Sequence, residues 1–142
     1  MSCPCFEPIE PRPHAADPRR AMLPLGDAWT GFCRAVPDQL HQPDDSVLDA
    51  YCNLGYARGR CARFPADGGP DAARFTIVSD DGAVLRLYYV LERDHRPFAH
   101  GPLEFSVAQG ALTTPTEGEL TGLQARAYAA SYLRRRPESD RP

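Results

Sequence analysis

Pro4, Pro8, Pro11, Pro13, Pro18, Pro24, Pro37 and Pro43 are eight of the chain's 15 prolines, and all fall within residues 1–43. Each fixes its own φ and lacks an amide donor, so this stretch cannot hold a long helix or a central strand. Residues 1–26 show neither a helical nor a strand period. They are expected to form an irregular, proline-rich arm carrying Cys3 and Cys5. Regular structure is expected in 27–142, a length that suits one self-sufficient core. The apolar share of 42% and charged share of 25% are those of a globular chain.

The periodicities predict an α+β domain in three blocks with a tail at 137–142. In 27–65, Asp27 can cap a helix over Ala28–Val36, where Trp29, Phe32, Cys33 and Val36 recur at helical spacing before Pro37. A second short helix is expected from Asp44–Ser46 to Gly55, with Leu48 and Cys52 one turn apart on its inward face. In 72–108, residues 73–79 and 83–91 read as strands around Asp80-Asp81-Gly82, followed by a connection over His95–Gly101. Leu103, Phe105 and Val107 then alternate as the third strand of an antiparallel meander. Setting apolar residues opposite one another pairs Phe75 with Leu87 and Ile77 with Leu85. In 114–136, Thr114-Pro115-Thr116-Glu117 reads as a helix start, and Leu120, Leu123, Ala127 and Ala130 as the apolar stripe of a long C-terminal helix. Arg134–Arg136 complement the negative end of its dipole.

All 16 basic residues are arginine, yet the net charge is −3, with no basic stripe interleaved with aromatics. Nucleic acid is therefore not an expected partner. No stretch approaches the roughly 20 apolar residues of a membrane helix, and MSCPCFEPIEP has no charged start followed by an apolar run. The expected location is the cytoplasm, where thiols stay reduced and a high cysteine count points to metal or redox chemistry before cross-links.

The candidate site is the set Cys3, Cys5, Cys33, Cys52 and Cys61. A disulfide between Cys3 and Cys5 would close a strained ring across Pro4. Zinc knuckles take two thiolates from one C-x2-C turn, and this chain has none. Cubane clusters accept four thiolates at widely varying spacings, so the dispersed set fits a 4Fe-4S iron–sulfur cluster first and zinc second. Arg34, Arg58, Arg60 and Arg63 lie close in sequence to these cysteines, and with the amides of Gly55 and Gly59 could offset the negative charge of such a centre. All five cysteines are therefore taken as metal and cofactor ligands.

Two other readings compete. Free cysteine is often a buried, small apolar residue; that suits Cys33 and Cys52, but not Cys3, Cys5 and Cys61, which lie off any apolar stripe. The protein would then be a metal-free interaction module whose arm docks on a partner. Alternatively Cys61, among arginines, could be the nucleophile of a thiol enzyme, with His100 or His95 as base. His14 and His41 lie in proline-rich loops without an identifiable partner. No nucleotide loop, G-x-S-x-G elbow or H-E-x-x-H helix occurs, so no reaction or catalytic residue is assigned. The expectation is one cysteine-ligated centre, serving electron transfer or clamping a site for a protein partner.

Overall fold

The computed structural model describes residues 1–11, 23–36, 38–66, 68–116 and 118–135. Part of the proline-rich arm, residues 12–22, and the tail lie outside them, as does His14. In chain order the elements are β1 (Phe6–Pro11), β2 (Trp29–Cys33), α1 (Asp45–Val47) running into a π-helical turn (Leu48–Cys52), β3 (Ala72–Asp80), β4 (Val84–Arg93), β5 (Arg96–Ser106), β6 (Ala111–Leu112) and α2 (Glu119–Arg135). Two antiparallel sheets result, the pair β1-β2 and the four-stranded β3-β4-β5-β6. The fold class is α+β.

Alternation builds the larger sheet. Leu85, Leu87, Tyr89 and Leu91 of β4 are buried with Ala73 and Phe75 of β3 and Leu103 and Phe105 of β5. This face is closed by α2, which packs on β1, β3 and β6. Burying one such leucine contributes about 1.5–3 kcal/mol.

Several expectations are corrected. The sheet has four strands, not three, and the partners in its first hairpin are shifted by two residues: Phe75 faces Tyr89 and Ile77 faces Leu87. The difference begins at the turn, where Asp80 faces Leu85, and a bulge between Ile77 and Ser79 leaves Val78, 63% exposed, out of the pairing and steps the register by one residue. β5 begins at Arg96, so the expected connection at His95–Gly101 is almost all strand. Asp94 and His95 both adopt positive φ, 53° and 61°, and form the whole turn. That is the tight, primed geometry that suits strand twist. The C-terminal helix starts at Glu119 rather than near Thr114, because the Thr114 hydroxyl accepts from the Glu104 amide at 3.0 Å and ties that segment to β5. Its most buried positions are Gln124, Ala125, Ala127, Ala129 and Ser131. Of the expected stripe, Ala127 is buried while Leu120, Leu123 and Ala130 are only half-buried.

The largest correction concerns the cysteine-bearing helices. Cys33 ends a strand, because residues 29–33 pair with β1, setting Phe6 against Cys33 and Pro8 against Gly31. Gly31 permits this: a Cβ there would lie 1.9 Å from the Glu7 carbonyl oxygen. Thr30 and Gly31 are also poor helix formers. Asp27 caps no helix; its buried carboxylate accepts from Ser131 Oγ at 2.7 Å and pairs with Arg134. Cys52 does close a helical segment, but one α-helical turn followed by a π turn in which the Asn53 amide reaches back to the Leu48 carbonyl at 3.1 Å.

Candidate metal centre

The first residues are held within the fold. Ser2 bridges to Ala73 through both backbone groups, at 2.7 and 2.8 Å, extending the edge of β3. Gly55, at φ 76°, makes room for this, since a Cβ there would lie 2.8 Å from the Met1 carbonyl oxygen. The next four residues form a β-turn with Pro4 at its second position, closed by the Phe6 amide on the Cys3 carbonyl at 3.1 Å. Buried Gln124 of α2 clamps the turn. Its amide nitrogen donates to the carbonyls of Cys3 and Phe6 at 2.7 and 2.8 Å, and its oxygen accepts from Ser2 Oγ at 2.6 Å.

The other segments are fastened to this turn through their backbones. The Cys3 amide donates to the Cys52 carbonyl at 3.0 Å, and the Arg34 amide to the Cys5 carbonyl at 2.8 Å. Cys33 and His41 exchange both backbone bonds, at 2.7 and 3.4 Å. Such a pair projects its two side chains to one face. Buried Asn53 joins the end of the π turn to β2: its oxygen accepts from the Trp29 amide at 3.0 Å, and its nitrogen donates to the carbonyls of Trp29 and Leu48, both at 3.1 Å.

Cys61 sits on a helical turn closed by its amide on the Ala57 carbonyl at 2.8 Å. Arg58 ties that turn down. Its Nε meets Asp71 at 2.5 Å, its two terminal nitrogens donate to the carbonyls of Pro65 and Gly69 at 3.1 and 3.0 Å, and its guanidinium lies 4.8 Å from the Phe64 ring centre. Tyr56 anchors the same loop to the sheet by donating to Glu92 at 2.5 Å and stacking on His95 at 4.1 Å.

These connections bring all five cysteines to one cavity of about 20 Å³, also lined by His41, Arg63, Tyr51 and Phe64. That volume is close to one water-sized site. Cys3 and Cys52 are buried, whereas Cys5, Cys33 and Cys61 are half-buried, and all five are free thiols. The Cys3 thiol is pushed well up, first by its hydrogen bond with Cys5 and then by burial. Burial, reinforced by Cys33 and Cys61, pushes Cys52 up to about 12. Both are therefore neutral thiols at pH 7, unsuited to nucleophilic attack. Among the described residues, no three His, Cys, Asp or Glu side chains stand in an arrangement that would hold a metal ion as they are.

The arginines near the cysteines divide. Arg34 pairs with Glu7, Arg58 with Asp71, and Arg60 lies over Tyr51. Arg63 alone of the four lines the cavity. His100 engages Tyr88, and neither His100 nor His95 lines the cavity. His41 does; its only sequence signal was its place beside a cysteine-bearing segment, since the pairing that aligns it with Cys33 spans eight residues. Comparisons with protein-family models, curated proteins and solved structures found no match.

Proposed function

We propose that Cys3, Cys5, Cys33, Cys52 and Cys61 form the ligand set of one thiophilic metal centre, an iron–sulfur cluster in preference to zinc. The observation that carries this reading is the convergence of five thiols, drawn from four separately anchored segments, on one cavity. Packing explains one or two buried cysteines, but gives no reason for three half-buried ones to share a wall. Five sulfurs exceed the four that a cubane or a zinc ion takes, so one of the adjacent pair Cys3 and Cys5 is surplus. His41 supplies a nitrogen on the same wall.

Binding has two costs. The thiols must give up protons, and their side chains must rotate about χ1 toward a common centre. A single ion enters the cavity with the smaller rearrangement. A cubane requires the walls at Cys33 and Cys61 to move outward, and both are half-buried. The clamps at Gln124, Asn53 and Arg58 hold the backbone while this happens, so that the centre ties the start of the chain to the loop before β3. Its roles would be electron transfer or holding that composite surface for a protein partner.

Anaerobic purification, followed by a visible spectrum and by iron, sulfide and zinc analysis, tests the reading. About one centre per chain is expected, lost on Cys52→Ser. A colourless, metal-free and fully folded protein would overturn it and leave the cysteines as packing residues.

A further inference from the structure

The Arg63 Nε is the one buried side-chain nitrogen or oxygen without a hydrogen-bond partner among the described residues. Buried donors are almost always paired, and an orphan on a charged group is the costliest kind. The far end of the same guanidinium is engaged, donating from Nη2 to Gln39 Oε1 at 3.2 Å. Neighbouring Arg58 uses its Nε and both terminal nitrogens. The unpaired donor thus belongs to the arginine that lines the thiol cavity.

We infer that Arg63 Nε–H donates to a metal-bound thiolate sulfur, making Arg63 the residue that sets the charge balance and potential of the centre. This rests on the metal-site reading above. A neutral thiol sulfur is a weak acceptor. A thiolate bound to a metal is anionic, and a guanidinium donor bonds to it with charge assistance. Hydrogen bonds to the sulfurs and nearby positive charge stabilise the more reduced, more negative state of a cluster. Arg63 is therefore a positioning residue, and its removal should shift the potential without removing a ligand.

The test compares wild type, Arg63→Gln, Arg63→Lys and, as a control on the outer arginine, Arg60→Gln. Each is reconstituted anaerobically with ferrous iron and sulfide, with far-UV circular dichroism to confirm folding. At a fixed redox poise, Arg63→Gln should lower the ratio of reduced to oxidised cluster at least tenfold, a shift of 59 mV for a one-electron couple. Arg63→Lys should fall between, since it keeps the charge and loses the planar donor. Arg60→Gln should match wild type. If wild type takes up zinc and no cluster, the same donor should appear as at least tenfold faster zinc loss to a chelator in Arg63→Gln. A loaded wild type with an indistinguishable Arg63→Gln would overturn this inference and leave the metal site standing. A wild type that takes up neither iron–sulfide nor zinc would remove both.

Discussion

Leu85, Leu87, Tyr89 and Leu91 hold β4 in place by burying apolar surface at every second residue. The segments bearing Cys3, Cys33 and Cys52 reach the same core with fewer apolar residues and are joined by backbone bonds and by two buried side-chain amides, those of Gln124 and Asn53. The sheet half is built from neighbours in sequence, hairpin upon hairpin, and many small contacts share the load. The thiol half is assembled across spans such as the 121 residues between Gln124 and Cys3, by a few bonds from each clamping side chain, chiefly to backbone groups. Loss of one bond there exposes another group's unmet need, so damage should be local and should fall on the cavity.

Substitutions separate the two halves, and the largest effect is expected in the sheet. Leu87→Ala, at a site 1% exposed, should cost about 2–5 kcal/mol in chemical denaturation and lower the stability of the whole chain. A loss below about 1 kcal/mol would mean that the sheet face is not the main core.

Asn53→Ala comes next. It leaves the Trp29 amide without its partner and removes the side-chain donor from the carbonyls of Trp29 and Leu48, of which Leu48 keeps the backbone amide of residue 53. At about 1–3 kcal/mol for an unsatisfied buried group, a loss of about 2–3 kcal/mol is expected. Unlike Leu87→Ala, it should accelerate hydrogen exchange at the β2 and Cys3 amides before the β4 amides. Uniform acceleration would erase the distinction between the halves.

Acid should loosen the loop that carries Cys61 before the sheet. Burial pushes the Asp71 carboxyl up, but the Asp94 amide and the Arg58 guanidinium more than offset it, leaving it below its ordinary value. The Tyr56 hydroxyl and Arg74 hold Glu92 low as well, against burial. Carboxyls depressed in the folded state contribute stability that is fully present above their unfolded values, about 4, and is lost as pH falls through the folded ones. Stability should therefore be flat from pH 7 to about 5 and decline below about 4, with part of the decline absent in Asp71→Asn. Denaturation midpoints across this range check it. An Asp71→Asn profile identical to wild type would show that the Arg58–Asp71 tie carries nothing.

The smallest effect is expected at Arg86–Glu104, 3.4 Å apart with both side chains about half exposed. Arg86→Ala should change stability by no more than about 1 kcal/mol and should leave the thiol cavity intact.

The same contrast explains what could be seen in advance. Alternation at Leu85, Leu87, Leu103 and Phe105 revealed the strands, and the 3.6-residue period after Glu119 revealed the helix, because those signals are local. Val78 escaped, since a bulge is a compromise between strands and not a property of either. The Asp94-His95 turn was legible in principle, because Asp and His are enriched at positive φ. Cys33 was misplaced because its helical spacing competes with a partner strand 27 residues away. That the thiols share one set could be proposed from their number and from the expectation of a reducing compartment. The clamps that assemble them, Gln124 on α2 and Asn53 after the π turn, could not be, since a glutamine on a helix ordinarily faces water. No helix among the described residues is long and apolar enough to cross a membrane.

X-ray absorption at the iron or zinc edge of anaerobically prepared protein tests the metal centre most directly, because it reports the atoms bonded to the metal. A first shell of sulfur at about 2.3 Å, about four per metal with only nitrogen from His41 in exchange, is the expected result. Serine at Cys33 or Cys61 should thin that shell and serine at Cys52 should abolish it, while serine at one of Cys3 and Cys5 should be tolerated. A shell of oxygen alone, or a sulfur shell unchanged by serine at Cys52 and Cys61 together, would contradict the assignment of this cavity as a metal site.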